Sequence, residues 1–148
     1  FVSALVQEEM GLRGARIINT KVNPDFSVAL EGTVSNDLPG IPKHKSLAHL
    51  NNGPEIRISD KYLIADRKFN NFIENLAIKK KIHYQLTAKN AGGTNSTAFQ
   101  VTGNGSKATV LSVPVRYLHS PSSVCRIKDI ENTIKLLIEI VSNINKFK

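Results

Sequence analysis

A chain of 148 residues with 41% hydrophobic and 22% charged residues holds enough apolar material for one ordinary domain, and this balance excludes a disordered polymer. No apolar run approaches the ~20 residues of a bilayer-spanning helix, and residues 1–6, short and without a basic flank, do not read as a secretory signal. The net charge of +8 raises nucleic acid as a partner; against it, the basic residues are scattered, aromatics make up 6%, and no nucleic-acid motif is present.

In chain order, the first residue is Phe rather than Met, and residues 1–6 (FVSALV) read as a buried strand. A strand that opens a chain in this way needs an upstream partner, so the chain is expected to be part of a longer polypeptide. Gln7, Glu8 and Glu9 follow, and Gly11 and Gly14 punctuate a turn into a short helix around residues 15–19. Residues 26–30 form a second expected strand, ending on Glu31. A loop rich in Pro, Gly and Asn runs from 36 to about 54.

Residues 55–58 are a short strand candidate. Phe69, Phe72, Ile73, Leu76 and Ala77 recur at helical spacing and predict an amphipathic helix over 67–81, closed by Lys79, Lys80 and Lys81, which suit its C-terminal dipole. Residues 83–87 read as a strand, residues 90–93 as a turn and residues 94–101 as a short helix. A β-branched strand at 108–113 runs on through Pro114 to Tyr117 and ends at His119. In the last helix Ile130, Ile134, Leu137, Val141 and Ile144 line up as one apolar stripe over about four turns, with Asp129 as N-cap or first-turn acid. Strands alternating with helices predict a single α/β domain. The lone Cys125 cannot form an internal disulfide, which points to a reducing, cytoplasmic compartment.

Three expected strands end in groups capable of metal or proton chemistry: Glu8 and Glu9, Glu31, and His119. In an open α/β sheet the carboxyl ends of parallel strands converge on one rim. Two carboxylates and an imidazole suit a divalent ion, and a further carboxylate could serve as general base. On spacing alone, an adjacent acidic pair is more often a solvated surface feature, and a lone histidine after a strand a loop residue. His44, His49 and His83 share no metal-ligand spacing, Cys125 has no catalytic partner beyond the cationic Arg126 and Lys128, and no GxSxG, HExxH or P-loop occurs.

Four segments in order, VQEEMGLRGA (6–15), VALEGTVSNDLPG (28–40), AGGTNSTA (91–98) and VPVRYLHSP (113–121), resemble the glutamyl and tetrahedral aminopeptidase family of two-metal peptidases, whose members often carry cellulase- or endoglucanase-like labels. The resemblance covers nearly the whole chain. It implies a three-layer zinc-peptidase-like α/β domain, a mixed sheet flanked by helices, of which residues 1–148 form the C-terminal part. It implies that Glu8 is the general base toward a metal-bridging water, that Glu9, Glu31 and His119 are metal ligands, and that Gly92, Gly93 and Thr94 lie near the substrate. Two divalent ions, zinc or cobalt, peptide substrates and a homo-oligomeric full-length protein follow from the same resemblance.

Two departures stand out. The family reads GGTDA where this chain has Asn95 after Gly93 and Thr94, and the family's upstream histidine ligand, bridging aspartate and inserted assembly domain have no counterpart here. A non-catalytic remnant is therefore the alternative to a peptidase, and the 148 residues alone are expected to be inactive. A glycan hydrolase, which works with paired acids and no histidine ligand, is the weaker third reading.

Overall fold

The computed structural model describes residues 1–147, the Lys43 side chain aside. The alternating segment FSVALEGTV forms β1 (Phe26–Val34), which pairs in parallel along its length with β4 (Lys107–Arg116), from Phe26 opposite Lys107 to Val34 opposite Val115. On its other side β4 pairs antiparallel with β2 (Glu55–Ser59), and β2 pairs in parallel with β3 (Gln85–Ala88). The result is a mixed sheet of order β1-β4-β2-β3, with the two-residue β5 (Val124–Cys125) added to the end of β4.

Successive strand residues point to opposite faces, so Val110 and Leu111 of β4 serve two different cores. Leu111 and Ile56 pack under α2 (Arg67–Lys79) and α4 (Ile127–Asn143), against Phe69, Ile73, Leu136 and Ile140. Val110 and Ala108 face the other way, toward Leu63 and Phe99. Phe99 belongs to α3 (Asn95–Val101), which packs against α1 (Arg13–Val22). The Asn19 amide joins these two helices by donating to the Thr102 carbonyl at 2.6 Å. Helices on both faces of a mixed sheet match the expected three-layer α/β class.

Most elements fall where the residue pattern predicts them, with shifted ends. β1 runs on to Val34, so Glu31 lies inside the strand rather than at its tip. β4 stops at Arg116, leaving His119 in the following loop. The 67–81 helix ends at Lys79, and β3 starts two residues later than expected.

Two expectations are corrected. Residues 1–6 form no strand: Phe1, Val2 and Val6 are exposed, because none of the described strands offers this segment a ladder and its apolar side chains meet no facing layer. On α4 the buried line is Asp129, Thr133, Leu136 and Ile140, while Ile130, Ile134 and Val141 are exposed. Asp129 is a first-turn acid but not the N-cap, which is Arg126. Its carboxylate is wholly buried and accepts from the backbone N–H groups of Asn51 (2.7 Å) and Gly53 (2.8 Å), tethering the loop ahead of β2 to the helix.

Candidate functional site

The Glu8–Glu9 pair stands on a tight turn, not on a strand. Leu12 N–H donates to the Glu8 carbonyl at 2.9 Å and Gly14 N–H to the Val6 carbonyl at 3.2 Å, folding the chain directly into α1. Gly14 permits this because a Cβ there would lie 2.8 Å from the Val6 oxygen. Gln7 and Leu12 both adopt positive φ to complete the turn. A turn lets neighbouring side chains reach one cavity, which an extended strand would send to opposite faces.

Glu31 reaches the same place from β1. Its carboxylate is pushed up to about 7 by burial first and then by the nearby charges of Glu8 and Glu9; the Asn95 backbone N–H and the Arg57 guanidinium oppose the shift. Glu31 Oε1 is buried with no hydrogen-bond partner among the described residues. Burial and the neighbouring Glu9 likewise raise the Glu8 carboxyl, and His119 works against them. His119, at φ +62 in the loop after β4, brings Nε2 to 2.9 Å from Glu9 Oε1, and both side chains are exposed. The four residues singled out from the sequence therefore line one cavity.

The cavity has a volume of about 950 Å³, and Gly92, Gly93 and Thr94 also line it. Gly92 sits at φ +80, and a Cβ on Gly93 would come within 3.0 Å of the Tyr62 ring. Bare backbone at these positions keeps the wall open to an approaching chain. Thr94 is buried with its hydroxyl unpartnered among the described residues, and so is the Asn95 side-chain oxygen.

Arg57, Tyr62 and Lys89 line the cavity as well, and none was singled out from the sequence. Arg57 bonds Glu55 and Asp60, each at 3.1 Å, and Lys89 pairs with Glu55 at 3.1 Å. A lone Arg in a short strand and a Lys before a turn carry no spacing signal. Only the sheet brings them beside the carboxylates.

The donor chemistry fits a divalent cation: clustered carboxylates, an imidazole, a raised Glu31 and a buried Glu31 oxygen without a partner describe negative charge in want of a counter-ion. Among the described residues, no group of three or more His, Cys, Asp or Glu side chains stands at metal-holding distance. Glu9 and His119 close on each other, whereas Glu31 is held apart from them in the strand.

Residues 1–136 match the family model described as M42 glutamyl aminopeptidase. The chain is 31% identical over 147 residues to a glutamyl aminopeptidase of Lactococcus lactis, covering 99% of this chain and 40% of the relative. It is 32% identical to a lysyl aminopeptidase of Pyrococcus furiosus, covering 92% and 38% respectively. Among solved structures, an aminopeptidase from the archaeon Desulfurococcus kamchatkensis superposes with a TM-score of 0.91 at 35% identity, over 93% of this chain and 39% of that one. The chain thus spans about two-fifths of the length of the curated relatives it matches.

Proposed function

Because the chain belongs to the M42 glutamyl aminopeptidase family, we propose that its cavity serves the hydrolytic removal of N-terminal residues from peptides. The observation that carries this reading is that Glu8, Glu9, Glu31 and His119 line one cavity beside the open Gly92–Gly93 wall. Glu8 is the proton carrier: its carboxyl is raised by burial and by Glu9, which favours accepting a proton from the attacking water and returning it to the leaving amine. Glu9, Glu31 and His119 are assigned as donors to divalent ions, zinc or cobalt. When bound, such ions supply positive charge that polarises a peptide carbonyl and acidifies water. Gly92, Gly93 and Thr94 are assigned to the substrate backbone.

The relatives include a glutamyl and a lysyl aminopeptidase, so the family supports peptides as the substrate class without choosing an N-terminal residue. A second reading, a chain without activity of its own, stands beside it because no group of three or more donor side chains stands at metal distance among the described residues. The two readings separate in one experiment. This chain replaces the matching segment of the Lactococcus lactis relative, and hydrolysis of aminoacyl-p-nitroanilides is followed with added zinc or cobalt. The chimera is expected to turn over, Glu8→Gln to lose at least about a thousandfold in kcat with metal content unchanged, and the 148 residues alone to be inactive. Normal turnover in Glu8→Gln would refute the assignment of the proton carrier.

A further inference from the structure

Between β2 and α2 the chain makes a tight turn that carries an aromatic ring. Asp60 N–H donates to the Leu63 carbonyl at 2.9 Å, and just beyond it Ala65 N–H donates to the Ile58 carbonyl at 3.0 Å. The Asp60 carboxylate braces the turn from inside. Its Oδ1 accepts from the N–H groups of Tyr62 and Leu63, both at 2.9 Å, and its Oδ2 accepts from Arg57 at 3.1 Å. Arg57 and Asp60 are buried, and Leu63 is wholly buried in the cluster that includes Val110. Tyr62, held between these anchors, is 58% exposed.

The ring stands on the cavity side of the turn, in the wall of the space that Glu8, Glu31 and His119 line. A Cβ on Gly93 would come within 3.0 Å of Tyr62 Cδ2 and 3.6 Å of Cε2, so one edge of the ring is seated against the Gly93 backbone. The Lys61 ammonium stands over the ring, 5.1 Å from its centroid. Leu12, Leu47 and Leu118 line the same cavity and add apolar surface to a space otherwise set by charged groups. A tyrosine has two side-chain torsions, and on a braced turn it loses little freedom when a ligand packs against it. That makes it an efficient contact residue.

We infer that Tyr62 is a specificity-determining residue of this site, its ring forming one wall of the subsite for an aromatic or large aliphatic side chain of the peptide. Three observations select this role. The ring lies against Gly93, which is assigned to the substrate backbone, so a peptide laid along the glycines brings a side chain to the ring. Tyr62 belongs to neither hydrophobic cluster, and the bonds that fix the turn come from Asp60 and the backbone, so the ring has no structural task. The lining cations Arg57 and Lys89 are matched by Glu55 and Asp60, so this wall offers a side chain apolar contact in place of an ion pair. The inference rests on the peptidase reading of the cavity and narrows its substrate class.

The test uses the chimera with the Lactococcus lactis relative and the dipeptides Phe-Ala, Ala-Phe and Ala-Ala. Tyr62→Ala should lower kcat/KM for at least one phenylalanine dipeptide about fivefold relative to Ala-Ala, mainly through KM, and Tyr62→Phe should restore the ratio. Which dipeptide responds identifies whether the ring serves the N-terminal residue or the one that follows it. Far-UV circular dichroism and metal content should not change. An equal effect on all three dipeptides, or a ratio that Tyr62→Phe fails to restore, would overturn the inference. A chimera that hydrolyses none of them counts against the peptidase reading, and Tyr62 is then decided by NMR on the 148-residue chain. There Phe-Ala or Ala-Phe, but not Ala-Ala, should shift the Tyr62 ring resonances, assigned by their loss in Tyr62→Phe; unmoved resonances would overturn the inference as well.

Discussion

Gly53 holds φ +77, and a Cβ there would sit 1.9 Å from the His83 carbonyl oxygen. Both the backbone conformation and the close approach of the backbone just ahead of β3 demand glycine. Gly53→Ala is expected to cost at least about 2 kcal/mol, as positive-φ strain and displaced backbone add, visible as a lower urea midpoint at unchanged slope. At the same scale, the roles proposed for Glu8, Glu9, Glu31 and His119 come only from motif order. Periodicity made Glu8 and Glu9 a strand-end pair, whereas glycine-dependent backbone contacts at Gly14 turn them into one cavity. Arg57, Tyr62 and Lys89 were not legible at all, because the cavity they line is assembled from segments distant in the chain.

Among the elements, α4 is the most instructive. Its helical period was plain, but the face it buries was not. The apolar residues span more than one face, and the buried line includes Asp129 and Thr133 among Leu136 and Ile140. A buried carboxylate reads as a surface residue until its two backbone donors, Asn51 and Gly53, are seen. Removing it leaves two N–H groups without an acceptor, so Asp129→Ala should destabilise the domain by about 2–4 kcal/mol, measured by thermal or urea unfolding. Asp129→Asn, which keeps one acceptor, should lose less. The failed strand at residues 1–6 belongs to the same scale: six apolar-rich residues satisfy the propensity for a strand, yet a strand exists only with a partner to complete its hydrogen bonds.

Across the whole molecule, a buried ionic network ties three strands together beneath the cavity. Glu55 of β2 is bonded by Arg57 of the same strand, by the Thr87 hydroxyl of β3 and by Lys89 just after it, and the Lys89 ammonium also donates to the Thr33 hydroxyl of β1. Burial alone would raise the Glu55 carboxyl, but Arg57 and Lys89 more than reverse it and hold it at about 2. At the surface, the hydrogen bond from Arg116 holds Asp37 well below the ordinary carboxylate range. A carboxyl whose folded value lies below its unfolded one contributes stability above the unfolded value of about 4.5 and loses it as pH falls through the folded value. Glu31, raised to about 7, works the other way and adds stability as pH falls from about 7 toward 4.5. Below that the lowered carboxyls dominate, and stability should fall steadily between about 4.5 and 2. Urea midpoints at about pH 4.5 and pH 3 check this, and Asp37→Asn should flatten part of the acid limb. Equal midpoints at the two pH values would show that the network contributes nothing.

By itself the sequence determined the α/β class, the order of the main elements and, through four ordered motifs, the family. These rest on local periodicity and on short strings whose backbone demands are met nearby. Only the tertiary structure decided that the Glu8–Glu9 segment turns instead of pairing, that Glu31 sits inside a strand beside Asn95, and that Glu55, Arg57 and Lys89 underlie the site. It also decided which flank of α4 stays bare. The physical reason is common to all four: burial and partnership are properties of surfaces brought together from distant parts of the chain, and a repeating pattern specifies a face without specifying what covers it.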